Sequence, residues 1–273
     1  MTERPLRRRR IVIAAGAFAL VLVVALASLV FVVVQGRDAE RASVDDALGR
    51  FQASTVPGAT SDARPRQGVY TATGSGSERL SFQTSGQSIG PTLPVTVTWV
   101  GEDCWDFRVD FNANHWQTWN YCRQGDGVVE RGGSVFQRFD LVVTQPESRS
   151  TTTCDPPNPT VQPNAEVGQT WPVSCVVTTD AEGTSVETAT ATFVGNETVA
   201  VGGEEVLAGG FRSDRVYSGD QLGQSRYENW YAIDSGLPVR SRWTLEITSP
   251  SPIGDVTYTE SGEWTLDDLM PAG

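Results

Sequence analysis

From Gly68 to the C-terminus no stretch of this chain sustains a helical period, which excludes helical bundles and α/β architectures for most of its length. What stands instead is a series of short segments rich in Val, Thr and aromatic residues, punctuated by Gly, Pro, Asn and Asp: 81–83, 95–100, 105–111, 116–121, 135–144, 171–178, 188–194, 211–217, 227–233, 239–248 and 256–264. Their number and spacing predict an all-β fold, an antiparallel half-barrel or open barrel of ten or more strands, with a sandwich as the other solution. Gly74-Ser75-Gly76 reads as a flexible turn between strands. A Pro-rich connector (Pro156, Pro157, Pro159, Pro163) divides the β region, but neither part holds enough strands for a comfortable barrel of its own. One continuous sheet is therefore expected.

One hairpin is legible residue by residue. Asn112-Ala113-Asn114 is a turn sequence, and with Ala113 at its centre residues whose numbers sum to 226 face each other. Cys104 then opposes Cys122, Trp105 opposes Tyr121, and Phe107 opposes Trp119. Because side chains alternate faces, Trp105, Phe107, Val109, Phe111, Trp119 and Tyr121 share one surface. Asp106, Arg108, Asp110, Thr118 and Asn120 share the reverse, which suits solvent. The hairpin selects a Cys104–Cys122 disulfide and leaves Cys154–Cys175 to clip the Pro-rich connector, a closure that stabilises the fold by about 3 kcal/mol. A metal site is not expected, since the chain has no Cys-x-x-Cys pair and a single histidine, His115, placed at the edge of the turn and read as a surface residue.

Ahead of the β region, an apolar run begins at Ile11 and ends at Val34, directly after four arginines (Arg7, Arg8, Arg9, Arg10). Its 24 residues exceed the ~20 that a helix needs to cross a bilayer. The basic flank predicts a cytoplasmic N-terminus and an extracytoplasmic C-terminal domain. A cleaved signal peptide is the competing reading, although Leu29 to Val34 continue apolar where a polar segment would follow cleavage. The expected domains are a cytoplasmic stub (1–10), a transmembrane helix (11–34), a juxtamembrane helix and linker (35–67) and an extracytoplasmic β domain (68–273). Within the third, Val44, Leu48 and Phe51 fall on one helical face, with Ser43 or Asp45 as N-cap. The predicted partners are the membrane, through the run from Ile11 to Val34, and a lipid or an envelope protein. All 21 basic residues are arginine, and five of them precede residue 11 beside Glu3. The remaining 16 face 32 acids, a net charge of −16 that disfavours nucleic acid as a partner.

Two motifs carry a resemblance. Glu197-Thr198-Val199-Ala200-Val201, followed by Trp230-Tyr231 and Gly236-Leu237-Pro238-Val239-Arg240, resembles bacterial envelope proteins of an uncharacterised family built as incomplete antiparallel barrels. The layout with Val44-Asp45-Asp46-Ala47-Leu48-Gly49-Arg50-Phe51 is similar to uncharacterised actinobacterial membrane-anchored proteins. The same sheet architecture occurs in half-barrel carriers of lipoproteins and lipids, where a helix lies against the concave face. By that analogy Trp99, Trp105, Phe107, Trp119, Trp230 and Trp243 would line an apolar ligand site, against the reading that they fill an ordinary core.

The sequence carries no Gly-x-Ser-x-Gly elbow, no His-Glu-x-x-His and no phosphate-binding loop, so no catalytic residue and no cofactor is assigned. A carboxylate-based hydrolase needs no motif and stays as a third reading, expected to show neighbouring acids in a cleft with their pKa values pushed apart. Two readings lead it. One is a non-catalytic envelope domain holding an apolar or lipid ligand in a concave sheet, which requires a cavity of several hundred Å3. The other is a protein- or cell-wall-interaction module with a filled core.

Overall fold

The computed structural model describes residues 37–54, 64–141, 144–180, 182–251 and 254–272. The apolar run from Ile11 to Val34 lies outside these residues, and among them no helix is long and apolar enough to cross a membrane.

Among the described residues thirteen strands form one antiparallel sheet: β1 (Gly68–Leu80), β2 (Gln87–Ile89), β3 (Thr92–Val100), β4 (Cys104–Asn112), β5 (His115–Gln124), β6 (Gly127–Arg138), β7 (Glu147–Val161), β8 (Thr170–Thr179), β9 (Gly183–Val201), β10 (Glu204–Gly219), β11 (Leu222–Ala232), β12 (Pro238–Ser249) and β13 (Val256–Leu266). From β3 to β13 each strand pairs with its neighbour in sequence. The sheet then closes, because β1 pairs with β3 on one side and with β13 on the other, from Ala72↔Leu266 to Leu80↔Tyr258. The result is a twelve-stranded barrel with β2 as an extra strand beside β1. Closure is the main departure from the expected half-barrel or open barrel, and it removes the exposed strand edges that an open sheet would present.

Three local expectations change with it. Gly74 and Gly76 lie inside β1 and form no turn; a Cβ on Gly76 would sit 2.3 Å from the Ser261 carbonyl, so the close approach of β13 is what requires glycine there. Residues 81–83, expected as a strand, follow the end of β1 as a turn, with Leu80 N–H donating to Gln83 Oε1 at 2.8 Å. The Pro-rich stretch belongs to β7, whose ladder with β6 runs from Arg138↔Glu147 to Gly132↔Thr153 and resumes at Glu130↔Asn158. Cys154 to Pro157 are looped out of that ladder, which accommodates prolines that cannot donate to it.

The 104–122 hairpin follows the expected register from Cys104↔Cys122 through Asp110↔Trp116, then shifts by one residue to Asn112↔His115. Both disulfides are present as expected, Cys104–Cys122 and Cys154–Cys175.

Among the described residues one helix, α1 (Val44–Ser54), packs on the outside of the barrel against β1 and β3. Ser43 Oγ accepts the Asp46 N–H at 3.2 Å, and Ala47 and Phe51 bury their side chains against Val69, with Val44 and Leu48 beside them. Arg50 reaches Asp110 Oδ2 at 2.6 Å, so this acid, expected in solvent, is buried under the helix. The segment before α1 is strapped to one end of the barrel: Arg37 N–H donates to Asp140 O, the Ser88 hydroxyl and N–H donate to Asp38, and Ala113 N–H donates to Glu40 O.

Among the described residues the interior is filled at one end only. Tyr70, Val97, Trp105, Phe107, Tyr121, Tyr231, Val239 and Leu266 form a continuous apolar plug. These residues sit near the starts of β1, β4 and β12 and the ends of β3, β5, β11 and β13, all at the same end of an up-and-down barrel.

Candidate ligand cavity

Above the plug the barrel is hollow. A cavity of about 620 Å3 is lined by the opposite halves of the strands, including Trp119, Val135, Tyr217, Tyr227, Leu245 and Ile247, and it reaches the turns at that end through Phe82, Pro146, Glu182, Gln221 and Pro250. Gly132 and Gly133 also line it, and they are glycine because a Cβ at either position would run into the backbone of the neighbouring strand, at Thr152 and Thr118.

Inward-facing positions on a barrel strand alternate with outward ones, and where plug meets cavity those positions carry charge. On one side Arg215 Nη1 donates to Glu187 Oε1 at 2.8 Å, its Nε donates to Ser213 Oγ at 2.8 Å, and its guanidinium lies 4.5 Å over the Tyr227 ring. Glu130 stands nearby and accepts from Asn158 Nδ2 at 3.0 Å. Burial pushes the Glu130 carboxyl above the usual range despite the charge of Arg215. Burial also opposes the charge on Arg215, but the carboxylates of Glu187 and Glu130 outweigh it and hold the guanidinium firmly protonated.

On the other side His115 Nδ1 lies 3.0 Å from Glu78 Oε2. The Tyr258 hydroxyl is 2.9 Å from that same oxygen and 2.7 Å from Glu260 Oε2, so one proton serves two carboxylates. Trp243 Nε1 donates to Glu260 Oε1 at 2.8 Å, Asn112 Nδ2 donates to Glu78 Oε1 at 3.0 Å, and Gln137 donates to Glu78 as well. Burial disfavours a charged imidazole, yet Glu78 and Glu260 push His115 up to about 9. Burial likewise acts to raise Glu78, but the imidazolium and the donors around it hold its carboxyl low, while Glu260 is raised, chiefly by burial.

His115 is thus corrected from a surface turn residue to a fully buried one, 1% exposed. The signal was present: it has the same parity as Trp119 and Tyr121, so alternation alone points it inward once β5 begins at residue 115. Of the six aromatics named from the sequence, Trp119 lines the cavity. Trp105, Phe107, Trp230 and Trp243 belong to the packed core, with Trp119 and Trp99 packed against it, and Trp99 Nε1 donates to Pro65 O at 2.8 Å at the closed end. Glu130, Glu187, Arg215, Tyr217, Tyr227 and Glu260, the most polar part of the wall, were not named from the sequence.

Glu78 and Glu260 are neighbours whose pKa values are pushed apart, as the hydrolase reading requires. Their placement argues against that chemistry. Glu78 is buried behind the wall with both oxygens occupied by donors, and only Glu260 borders the cavity. Among the described residues no group of three or more His, Cys, Asp or Glu is placed to hold a metal ion.

No family model matches this chain, and no curated protein matches it. Among solved structures, a hypothetical lipoprotein, YmcC from Escherichia coli (K12), aligns over 86% of this chain and 99% of its own, with 14% identity and a TM-score of 0.35. That likeness is too remote to carry an argument about this barrel.

Proposed function

We propose that this protein is a membrane-anchored, non-catalytic binding protein of the cell envelope that holds a small amphipathic molecule inside its barrel. The observation that supports this reading is the 620 Å3 cavity, open at one end and sealed below by the aromatic plug. Its volume falls within the ~300–1,000 Å3 of small-molecule sites, and its walls combine apolar side chains with a few convergent polar groups, as such sites do. The plug serves the alternative, a filled-core interaction module, equally well; the hollow half does not. Two disulfides fit an oxidising, extracytoplasmic setting. The cytoplasmic N-terminus and the anchor rest on the sequence of residues 1–34.

The test is native mass spectrometry of residues 35–273 secreted into an oxidising compartment and purified without detergent. The expected spectrum shows a small-molecule adduct that organic extraction removes and that Trp119→Ala weakens. A bare polypeptide, together with no uptake of any added apolar or amphipathic compound, would sink the proposal.

A further inference from the structure

The cavity wall is electrically unbalanced. Glu130, Glu187 and Glu260 lie at its floor and Glu147 and Glu182 toward its mouth, while its basic side chains among the described residues are His115 and Arg215. Both are already engaged, His115 with Glu78 at 3.0 Å and Arg215 with Glu187 at 2.8 Å. Glu130, 5% exposed, accepts a hydrogen bond from Asn158, whose own Oδ1 is buried with no hydrogen-bond partner among the described residues. This corner of the barrel is short of donors and of positive charge.

We infer that the cavity selects amphiphiles with a cationic, hydrogen-bond-donating head, an ammonium or guanidinium group seated against the floor carboxylates, Glu130 foremost. The inference deepens the proposed function and rests on it. An anionic head would meet five carboxylates with no uncommitted base to receive it, and taking a charge into a low-dielectric site without a partner is costly. A cationic head gains the opposite, and the Trp119 ring in the wall adds a further attraction for it. Leu245, Ile247, Val135 and Val177 offer the apolar tail its surface. The net charge of −16 beyond residue 10 draws cations toward the domain from a distance.

The experiment is calorimetric titration of the full-length protein in zwitterionic nanodiscs, with empty nanodiscs as the blank. The probes are hexylammonium, hexanoate and hexanol, which share a tail and differ in head. Hexylammonium is expected to bind at least ten times more tightly than hexanoate. Glu130→Gln keeps an oxygen for Asn158, so it should fold, erase most of that preference and leave hexanol unchanged. Equal binding of all three probes, or a preference for hexanoate, overturns the inference while leaving the apolar cavity standing. A cation preference that survives Glu130→Gln overturns the assignment of that carboxylate. Failure of all three to bind removes the cavity reading itself, and the inference with it.

Discussion

Replacing His115 by Gln removes the one positive charge facing Glu78, a carboxylate whose side chain is 0% exposed and which lies 3.0 Å away. Breaking a buried pair from one side costs about 3–5 kcal/mol, because the remaining charge must either stay uncompensated or be neutralised. A second route gives a similar size. An imidazole whose pKa rises from 6.5 to about 9 on folding is favoured in its charged form by roughly 3 kcal/mol. Urea denaturation at pH 6, followed by tryptophan fluorescence, should therefore show the single variant less stable by about 3 kcal/mol or more. The double variant His115→Gln/Glu78→Gln, which leaves no charge behind, should recover much of that loss. The pH dependence has a definite sign. A folded-state pKa that is raised contributes stability below about 6.5, and that stability is lost as pH climbs through about 9. The depressed pKa of Glu78 acts at the other end, its contribution vanishing as pH falls through the folded value. Between pH 6.5 and 9 the wild type should thus lose roughly 3 kcal/mol relative to the double variant. Parallel curves across that interval, or a double variant as unstable as the single one, would refute the reasoning.

Arg215→Leu leaves Glu187 and Glu130 facing each other without their shared cation, and a stability loss of about 3–5 kcal/mol at neutral pH, partly recovered in acid, is expected from denaturant titration. Gly133→Val places a Cβ where it would lie 1.9 Å from the Thr118 carbonyl; β5 and β6 must separate, and thermal melting should report a loss of at least about 3 kcal/mol. Reduction of Cys104–Cys122, or its Ser/Ser replacement, opens a link across 18 residues and should cost about 3 kcal/mol without abolishing the far-ultraviolet β signal. Ser43→Ala removes the cap of α1 and should lower stability by about 1 kcal/mol, a smaller effect than Phe51→Ala at about 3 kcal/mol.

What could be read in advance follows the range over which each constraint acts. The Cys104↔Cys122 register was legible because alternation, a turn signal and a cysteine pair converge within twenty residues. The helix at Val44–Ser54 was legible for the same reason, a cap and an apolar face being local signals. Closure of the ring depends on β1 meeting β13, Ala72 with Leu266, and nothing in either segment alone names its partner. The charged floor was hidden by the same distance. Nothing near Glu187 or Glu260 in sequence marks either as buried, because Arg215 and His115, which make that burial tolerable, arrive from other strands. The large aromatics marked the plug, since they are the residues that close-packing consumes; a hollow is bounded by residues drawn from many strands, Trp119, Val135, Tyr217 and Leu245 among them, and no local pattern groups them.

The strap at residues 37–40 bears on where a ligand would come from. Arg37, Asp38 and Glu40 are fastened at Asp140, Ser88 and Ala113, at the same end of the barrel as Phe139, which borders the open cavity. Three residue steps separate Arg37 from Val34, the last position of the apolar run, and an extended chain covers at most ~3.6 Å per step. With that run embedded, the leash is about 10 Å. Under the anchoring proposed above, so short a leash would keep the mouth of the barrel turned toward the bilayer. Its cargo would be picked from a two-dimensional pool in the headgroup layer, and release would be back into the leaflet or into a partner that reaches down to the membrane.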